Sequence, residues 1–216
     1  PDELSDGKCD GVIARIETPK LARILAPMKL PIVDVSQFRL LPHLPFVDAD
    51  DGAIARLAFS HFKERGFRHF AFVGNDVIGG SRHRRHAFEQ LVKDACMACH
   101  SFTGKPRVGA PACYSLSPRE LDRWIVRLPH PCAVFAAWDG FGRQVLYACK
   151  RAKLDVPDEI SVIGVGDDSL EADLSPLPLS SIVPNAEGAG YSAAVLLDQL
   201  MAGQHHLSQH IALPPL

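Results

Sequence analysis

Short apolar runs alternate along the chain with longer stretches in which apolar residues recur at helical spacing. The short runs are rich in β-branched residues and predict strands, whereas the longer stretches predict helices. The predicted strands cover residues 11–16, 31–35, 69–73, 133–136, 161–165 and 179–183. Because strands and helices alternate, the pattern favours an α/β fold built on parallel sheets.

Several predicted helices carry recognisable end signals. Thr18 is followed by proline and is a typical helix start, since its hydroxyl caps free amides and proline fits the first helical position. Asp50 or Asp51 can cap the next helix, and Gly66 is placed to end it in a left-handed conformation. Further helices are predicted over residues 81–98, 118–128, 139–153 and 187–201.

The composition is that of an ordinary globular protein. Of 216 residues, 47% are hydrophobic and 22% are charged, and the formal net charge of −2 gives no basic field for non-specific nucleic-acid binding. No apolar run approaches the roughly 18 residues of a membrane-spanning helix. The polar beginning lacks a signal-peptide pattern, and the six cysteines lack the density of a disulfide scaffold, so we expect a cytoplasmic protein.

Polar and aromatic residues follow the predicted strands where a ligand site is expected. In open parallel sheets, ligands bind beyond the carboxyl ends of the strands. Those positions hold Asp34, Trp138, Asp139 and the segments 75–81 and 166–168. Carboxylates and arginine hydrogen-bond hydroxyl groups, and tryptophan covers an apolar sugar face, so this mixture suits a polyhydroxylated small molecule.

Three short motifs suggest other chemistry, and each has an ordinary structural explanation. Cys96, Cys99 and His100 have the spacing of haem attachment, yet they end a predicted amphipathic helix, which favours chance spacing over a haem, redox or metal site. The basic run 81–86 either binds phosphate at a helix start or forms a solvated first turn. The histidine-rich segment 205–210 has the composition of a metal site, but no neighbouring ligand spacing completes one.

Motifs for catalysis are missing from the sequence. It contains no nucleotide-binding glycine loop, no nucleophile elbow and no zinc-protease motif. We therefore expect neither an enzyme nor a bound cofactor or metal.

An ordered series of segments resembles the effector-binding region of LacI/GalR-type transcriptional regulators. The segments are LPIVDVS, FVDADDGAIARLAFSHFKERGFRHFAFVG, SRHRRHAFEQL, FAAWDGFGRQVL, VPDEISVIGVGDDSLEADLSPLPLSSI and AEGAGYSAAVLLDQLMAG, and IALPPL is similar to the start of the family's last strand. DGVIARI near the beginning and AFVG before the long loop are most similar to xylose-operon regulators, in which an AraC-type DNA-binding domain follows. The resemblance covers nearly the whole chain.

The resemblance implies a periplasmic-binding-protein-like fold. Two Rossmann-like lobes, each with a parallel sheet, are expected to be joined by a hinge and to close around a sugar. The N-terminal lobe is expected to hold residues 1–47 and 184–204, without the family's first strand and helix. The C-terminal lobe is expected to hold residues 48–183 and 205–216, and the DNA-binding domain is expected to be absent from this chain.

The resemblance also implies a set of sugar-binding residues. Arg84 matches the arginine at the start of a family helix that binds sugar hydroxyls. Asp139 matches the second member of an Asn-Asp pair that faces the ligand, and Trp138 replaces the first member and offers ring stacking instead. Asp50 matches an acidic residue at a lobe crossover, and Asp34 matches an aspartate used by some family members.

The largest departure from the family lies after the strand at 161–165. The family places a sugar-binding aspartate at the position of Gly166. We expect either that Asp167 replaces it through a backbone shift, which glycine permits, or that the pocket has lost this contact.

These observations predict the effector-binding domain of a transcriptional regulator. We expect it to sense D-xylose or a related pentose, to switch operon transcription by lobe closure, to form a homodimer and to bind operator DNA through a domain outside this chain. The alternative is a periplasmic sugar-carrier protein of an ABC transporter, which requires an export signal upstream and no DNA-binding domain downstream. An enzyme on a Rossmann-like scaffold lacks the nucleotide fingerprint.

Overall fold

The computed structural model describes residues 9–104, 116–204 and 210–216. In chain order the elements are β1 (Val12–Ala14), α1 (Pro19–Leu25), β2 (Ile32–Asp34), β3 (Phe46–Ala49), α2 (Asp51–Glu64), β4 (His69–Asn75), α3 (Gly79–Asp94), β5 (Cys99–Gly104), α4 (Pro118–Ile125), β6 (Cys132–Ala136), α5 (Asp139–Ala152), β7 (Ile160–Val165), α6 (Ser169–Asp173), β8 (Ser180–Ile182), α7 (Ala186–Met201) and β9 (His210–Leu213).

The chain divides into two compact units, each with its own parallel sheet. The first unit comprises residues 1–50 and 185–214, and the second comprises residues 51–184 and 215–216. The strand order is β1-β2-β3-β9 in the first sheet and β5-β4-β6-β7-β8 in the second. All strand pairs are parallel. The predicted α/β class with parallel sheets is therefore confirmed.

Helices cover both faces of the first sheet. Neighbouring residues of a strand point to opposite faces, and β2 places Ile32 on one face and Val33 on the other. On the first face α1 packs against the strands through Ala22 and Leu25. On the second face α7 packs through Ala193 and Leu196. Because helices cover both faces of the sheet, every residue of β2 is buried, and buried and exposed residues do not alternate along it.

The second sheet is built around two fully apolar strands. Every residue of β6 is buried, as are all residues of β4 after its first. Aromatic rings from the sheet and from α3 pack at its centre, with centroid separations of 5.0 Å for Phe88 and Phe135 and 5.5 Å for Phe72 and Phe135. This rigid centre carries the loops at the carboxyl ends of β4, β6 and β7.

Two of the predicted helix end signals, at Thr18 and Gly66, form as expected. The Thr18 hydroxyl accepts the amide of Leu21 at 3.2 Å. Gly66 has φ +83° and follows α2, and the amide of Phe67 donates to the carbonyl of Phe62 at 3.2 Å. This bond pattern is the Schellman closure, in which glycine adopts the left-handed conformation at low cost.

The prediction missed β3 and β5 because both strands carry polar residues. β3 reads Phe-Val-Asp-Ala, and β5 reads Cys-His-Ser-Phe-Thr-Gly at the edge of the second sheet. An edge strand faces a neighbour on one side only and therefore retains little of the apolar signal by which strands are recognised.

The helix predicted over residues 81–98 was wrong at its carboxyl end. The α3 helix ends at Asp94, and Cys96 takes φ +58°, with its amide bonded to the carbonyl of Lys93 at 2.8 Å. Cys99 is already the first residue of β5, and His100 is exposed. The haem-like spacing therefore spans a turn and a strand, which supports the interpretation that it arose by chance.

The lobe boundaries predicted at residues 47/48 and for the tail differ from the structure. All of β3 belongs to the first unit, and β9 joins the first sheet beside it, with Phe46 opposite His210 and Ala49 opposite Leu213. The open side of β3 provides amides and carbonyls that this last strand satisfies. Only residues 215–216 join the second unit, where the amide of Leu216 donates to the carbonyl of Val183 at 3.0 Å.

Candidate functional site

Arg84 is the centre of a polar cluster in the second unit. It lies on the face of α3 that also carries Phe88 and Val92, so helical spacing directs it inward, and it is 1% exposed. Its Nε donates to Asp51 Oδ1 at 2.8 Å, and its Nη1 donates to the carbonyl of Ala137 at 2.6 Å. The guanidinium is therefore fixed between the start of α2 and the end of β6.

Asp51 is the buried counter-charge of this arginine. Its side chain is 7% exposed, and its second oxygen lies 3.5 Å from Nδ1 of His83. A buried charge is stable only when it is paired and hydrogen-bonded, and Asp51 supplies both for Arg84. The sequence prediction considered Asp51 only as a possible helix cap, and it named Asp50 as a sugar contact through the family resemblance.

Trp138 lies beside the guanidinium. The centre of the Arg84 guanidinium is 5.1 Å from the Trp138 ring centroid, a separation at which a cation and an aromatic face attract each other. Trp138 has an extended backbone and directly precedes α5, and its ring also contacts Phe141. This position at the carboxyl end of the sheet leaves the ring half-buried.

Asp139 is the first residue of α5 and is 3% exposed. Its Oδ1 accepts the hydroxyl of Ser181 at 2.7 Å, and its Oδ2 accepts the amide of Asp168 at 3.0 Å. Burial raises the pKa of this carboxyl, and the two hydrogen bonds oppose that shift. Asp139 therefore links the loops that follow β6 and β7 to strand β8.

Two glycines make room for the Asp139 carboxylate. A β-carbon at Gly164 would overlap Asp139 Oδ1, and one at Gly166 would lie 3.1 Å from Oδ2. Gly166 also has φ +141°, which side-chain-bearing residues rarely adopt. The glycine that departs from the family pattern is therefore required here, because Asp139 fills the adjoining space.

A cavity of about 280 Å³ opens beside these residues in the second unit. Aromatic, carboxylate and glycine positions share its wall: Trp138, Asp139, Gly140, Val165, Gly166, Asp168 and Glu171. A ring-stacking face next to hydroxyl acceptors is the arrangement that binds a polyhydroxylated ring.

The structure brings four of the predicted residues together within the second unit, and Asp34 and Asp50 belong to the first. Arg84, Trp138 and Asp139 form the cluster above, and Asp167 faces Asp139 from the loop after β7. Asp167 is exposed with φ +53°, and its amide donates to the Ser181 hydroxyl at 2.9 Å. Asp50 belongs to the first unit, where its amide donates to the carbonyl of Leu213 at 2.7 Å.

A second polar cluster lies within the first unit. Asp48 is buried, and its two oxygens bind Arg39 at 2.7 Å and His210 at 3.0 Å. The ring of Phe46 stacks on His210 and also lies beneath the Arg39 guanidinium. Asp34, the last residue of β2, lies opposite Phe46 in the sheet, and the charge of Asp48 helps to raise its pKa.

Asp34 is oriented by its own strand end. Its Oδ1 accepts the amides of Ser36 at 2.8 Å and Ile16 at 3.3 Å. Burial is the main cause of the raised pKa of this carboxyl. No group of three or more potential metal ligands occurs among residues 9–104, 116–204 and 210–216, and His205 and His206 lie outside those ranges.

The sequence prediction assigned no role in the site to two residues that contact it. Ser181 binds Asp139, and Asp51 binds Arg84. The only signals for them in the sequence were the serine pair in β8 and the polar start of α2.

Within the described part of the chain, no helix has the length and apolar character needed to cross a membrane.

Comparison with known proteins identifies the family. Residues 59–216 match the family described as the periplasmic binding protein-like domain. The xylose operon regulatory protein of Haemophilus influenzae is 31% identical over 100% of this chain and 57% of its own length. The protein of the same description from Escherichia coli K12 is 32% identical over 99% of this chain and 56% of its own length. The chain thus spans a little over half the length of these relatives.

Solved structures show the same fold. The structure of a xylose-binding transcription activator superposes with a TM-score of 0.83 at 31% identity, covering 96% of this chain and 56% of the other. A LacI-family regulator from Rhizobium etli superposes with a TM-score of 0.76 at 20% identity, covering 99% of this chain and 78% of the other, and supports the fold alone. The chain therefore belongs to the family of periplasmic-binding-protein-like domains, and over nearly its whole length it is similar to xylose operon regulatory proteins.

Proposed function

We propose that the chain is the sugar-sensing domain of a DNA-binding transcriptional regulator and that its effector is D-xylose or a related pentose. The observation that carries this proposal is the buried Arg84 side chain, held by Asp51 and the carbonyl of Ala137 beside the ring of Trp138. The 31–32% identity to xylose operon regulatory proteins supports the choice of sugar.

Each of the three clustered residues has a separate task in this proposal. Arg84 has a planar fork of donors fixed at the end of β6, and it donates hydrogen bonds to sugar hydroxyls. Trp138 stacks on the apolar face of the sugar ring. Asp139 accepts hydrogen bonds from sugar hydroxyls, because each of its oxygens has lone pairs beyond the one protein bond described above.

Three more aspartates belong to the proposal through the family resemblance. Asp34 and Asp50, both in the first unit, and Asp167 in the second are proposed as further contacts with the sugar. The exposed position of Asp167 and the strand-end position of Asp34 support this assignment, since ligands in such sheets bind beyond the strand ends.

The regulatory step is also part of the proposal. We propose that sugar binding closes the two lobes of a homodimeric protein in the cytoplasm and changes the affinity of a further, AraC-type domain for operator DNA. A ligand shifts such an equilibrium only if it binds the two states with different affinity. The regulator names of the relatives favour this function over that of a transport carrier.

Titration calorimetry of the full-length protein tests sugar binding. D-xylose is titrated alongside L-arabinose, D-ribose and D-glucose. We expect saturable binding of D-xylose that weakens at least tenfold in Arg84→Lys, since lysine keeps the charge but loses the planar fork. The neighbouring Arg85→Ala serves as control, because Arg85 binds Asp76 and Glu89 at the surface.

Two outcomes would count against the proposal. Failure of the folded protein to bind any pentose would remove the proposed effector class. Equal binding by wild type and Arg84→Lys would remove this arginine from the site. The regulatory step is tested separately, by operator binding with and without D-xylose and by the change in radius of gyration in X-ray scattering, and an unchanged radius would exclude lobe closure.

A further inference from the structure

The orientation of the Asp139 carboxylate depends on a residue to which no ligand role has been assigned. We infer that Ser181 is a positioning residue for sugar binding, because its hydroxyl fixes the Asp139 carboxylate against the glycine pair 164 and 166. This inference rests on the proposed function and adds a residue that acts through Asp139 rather than on the sugar itself.

The hydrogen-bond pattern fixes the direction of the Ser181 proton. The amide of Asp167 donates to the Ser181 hydroxyl oxygen at 2.9 Å and so occupies one of its lone pairs. The hydroxyl has a single proton, and Asp139 Oδ1 is 2.7 Å away. Ser181 therefore acts as a donor to the carboxylate, and it also ties the β7–α6 loop to β8.

The opposite sides of the carboxylate are closed by backbone. The amide of Asp168 binds Oδ2 at 3.0 Å, and the absence of side chains at Gly164 and Gly166 lets the carboxylate pack against β7. The carboxyl group cannot rotate without losing one of its two bonds. Its remaining lone pairs are thereby aimed in a fixed direction, which is the requirement for selective recognition of hydroxyl groups.

The charges that surround Asp139 make this donor important. Asp167 and Asp168 face it from the loop after β7, and their negative charges raise its pKa in addition to the larger effect of burial. Glu171 lies near Gly140 and is paired with Arg143 of α5. The Ser181 hydrogen bond lowers the pKa and so favours the ionised carboxylate, which accepts hydrogen bonds from sugar hydroxyls.

A titration without sugar tests the positioning role directly. The carboxyl signals of ¹³C-aspartate-labelled protein are followed against pH, and Asp139→Asn assigns the resonance. We expect Ser181→Ala to raise the pKa of Asp139 and Ser181→Thr to restore it. Ser180→Ala is the matched control, since Ser180 precedes Ser181 in β8 and is exposed. An unchanged Asp139 pKa in Ser181→Ala would overturn the inference.

Calorimetry with D-xylose tests the consequence for binding. We expect Ser181→Ala to bind about tenfold more weakly, the effect of losing one charge-assisted hydrogen bond, and Ser180→Ala to bind as wild type. The pH below which affinity falls should move upward in Ser181→Ala, which a purely structural defect would not cause. Equal affinities and pH profiles would overturn the inference. If wild type binds no sugar, the proposed function fails, and the labelled titration still decides the orientation of Asp139.

Discussion

The buried pair of Arg84 and Asp51 gives a quantitative test of how the second unit is held together. The two side chains are 1% and 7% exposed and meet at 2.8 Å. Arg84→Met keeps most of the buried aliphatic volume and removes the charge, and Asp51→Asn removes the counter-charge with little change in shape. Each single change leaves one buried charge without its main partner.

The structure sets the size of the expected effects. Breaking a buried ion pair by removing one partner costs about 3–5 kcal/mol of unfolding free energy. The lower end applies to Arg84→Met, because Asp51 remains at the start of α2 and near His83, where the helix dipole contributes about 0.3–1 kcal/mol. Removing both charges leaves neither unpaired, so the double variant should lose clearly less than the sum of the two single losses, which is about 6–8 kcal/mol.

Urea unfolding followed by tryptophan fluorescence measures this cycle in the second unit alone. The chain has two tryptophans, Trp124 and Trp138, and both lie in that unit. Trp124 is the better reporter, since Trp138 contacts the substituted arginine. Losses in the single variants that add up in the double variant to within about 0.5 kcal/mol would refute the argument that the two charges depend on each other.

Three further predictions follow from local geometry. Gly166→Ala should lower the free energy of unfolding in urea by about 2–3 kcal/mol, because φ is +141° and the new methyl group would lie 3.1 Å from a carboxylate oxygen. The control Gly66→Ala, at φ +83° with open space around it, should lower it by only about 1 kcal/mol, and equal losses in the two variants would contradict this prediction. Burial raises the pKa of Asp34, so the folded protein keeps this proton to higher pH, and stability is lost as the pH rises above 3.8 through the raised value. Asp34→Asn should reduce this loss of stability, measured by hydrogen exchange in the first unit. The same pH dependence in wild type and variant would contradict this prediction. Burial raises the pKa of Cys149 to about 12, so iodoacetamide at pH 8 should label the exposed Cys96 in the native protein and Cys149 only after unfolding. Peptide mass mapping measures the labelling, and equal labelling of Cys96 and Cys149 in the native protein would contradict this prediction.

The fold class could be predicted because the buried strands of a parallel sheet consist of runs of apolar residues. The runs at β4, β6 and β7 are buried on both faces, so nearly every residue in them is apolar. The edge strand β5 and the short β3 carry polar residues, and apolar periodicity does not reveal them. The sequence also could not show to which sheet β9 belongs, because that depends on pairing with a strand about 160 residues earlier.

The candidate site shows the same limit at the level of single residues. The position of Arg84 beside Trp138 and Asp139 followed from strand ends and the family resemblance. Asp51 entered the sequence prediction only as a possible helix cap, because its contact with Arg84 depends on how the start of α2 is placed against α3, which sequence alone does not provide. Ser181 became visible only once the structure placed β8 beside β7.

The division of the chain has a consequence for its biogenesis. Residues 51–184 form nearly all of the second unit and interrupt the first, whose sheet gains β9 only near residue 213. During translation, the strands of the second sheet leave the ribosome while β3 still lacks its final neighbour. The inserted unit therefore has all the strands of its sheet available first, and the enclosing unit completes its own sheet only when the last strand emerges. A nascent chain halted before residue 210 would expose the bare edge of β3 to other polypeptides.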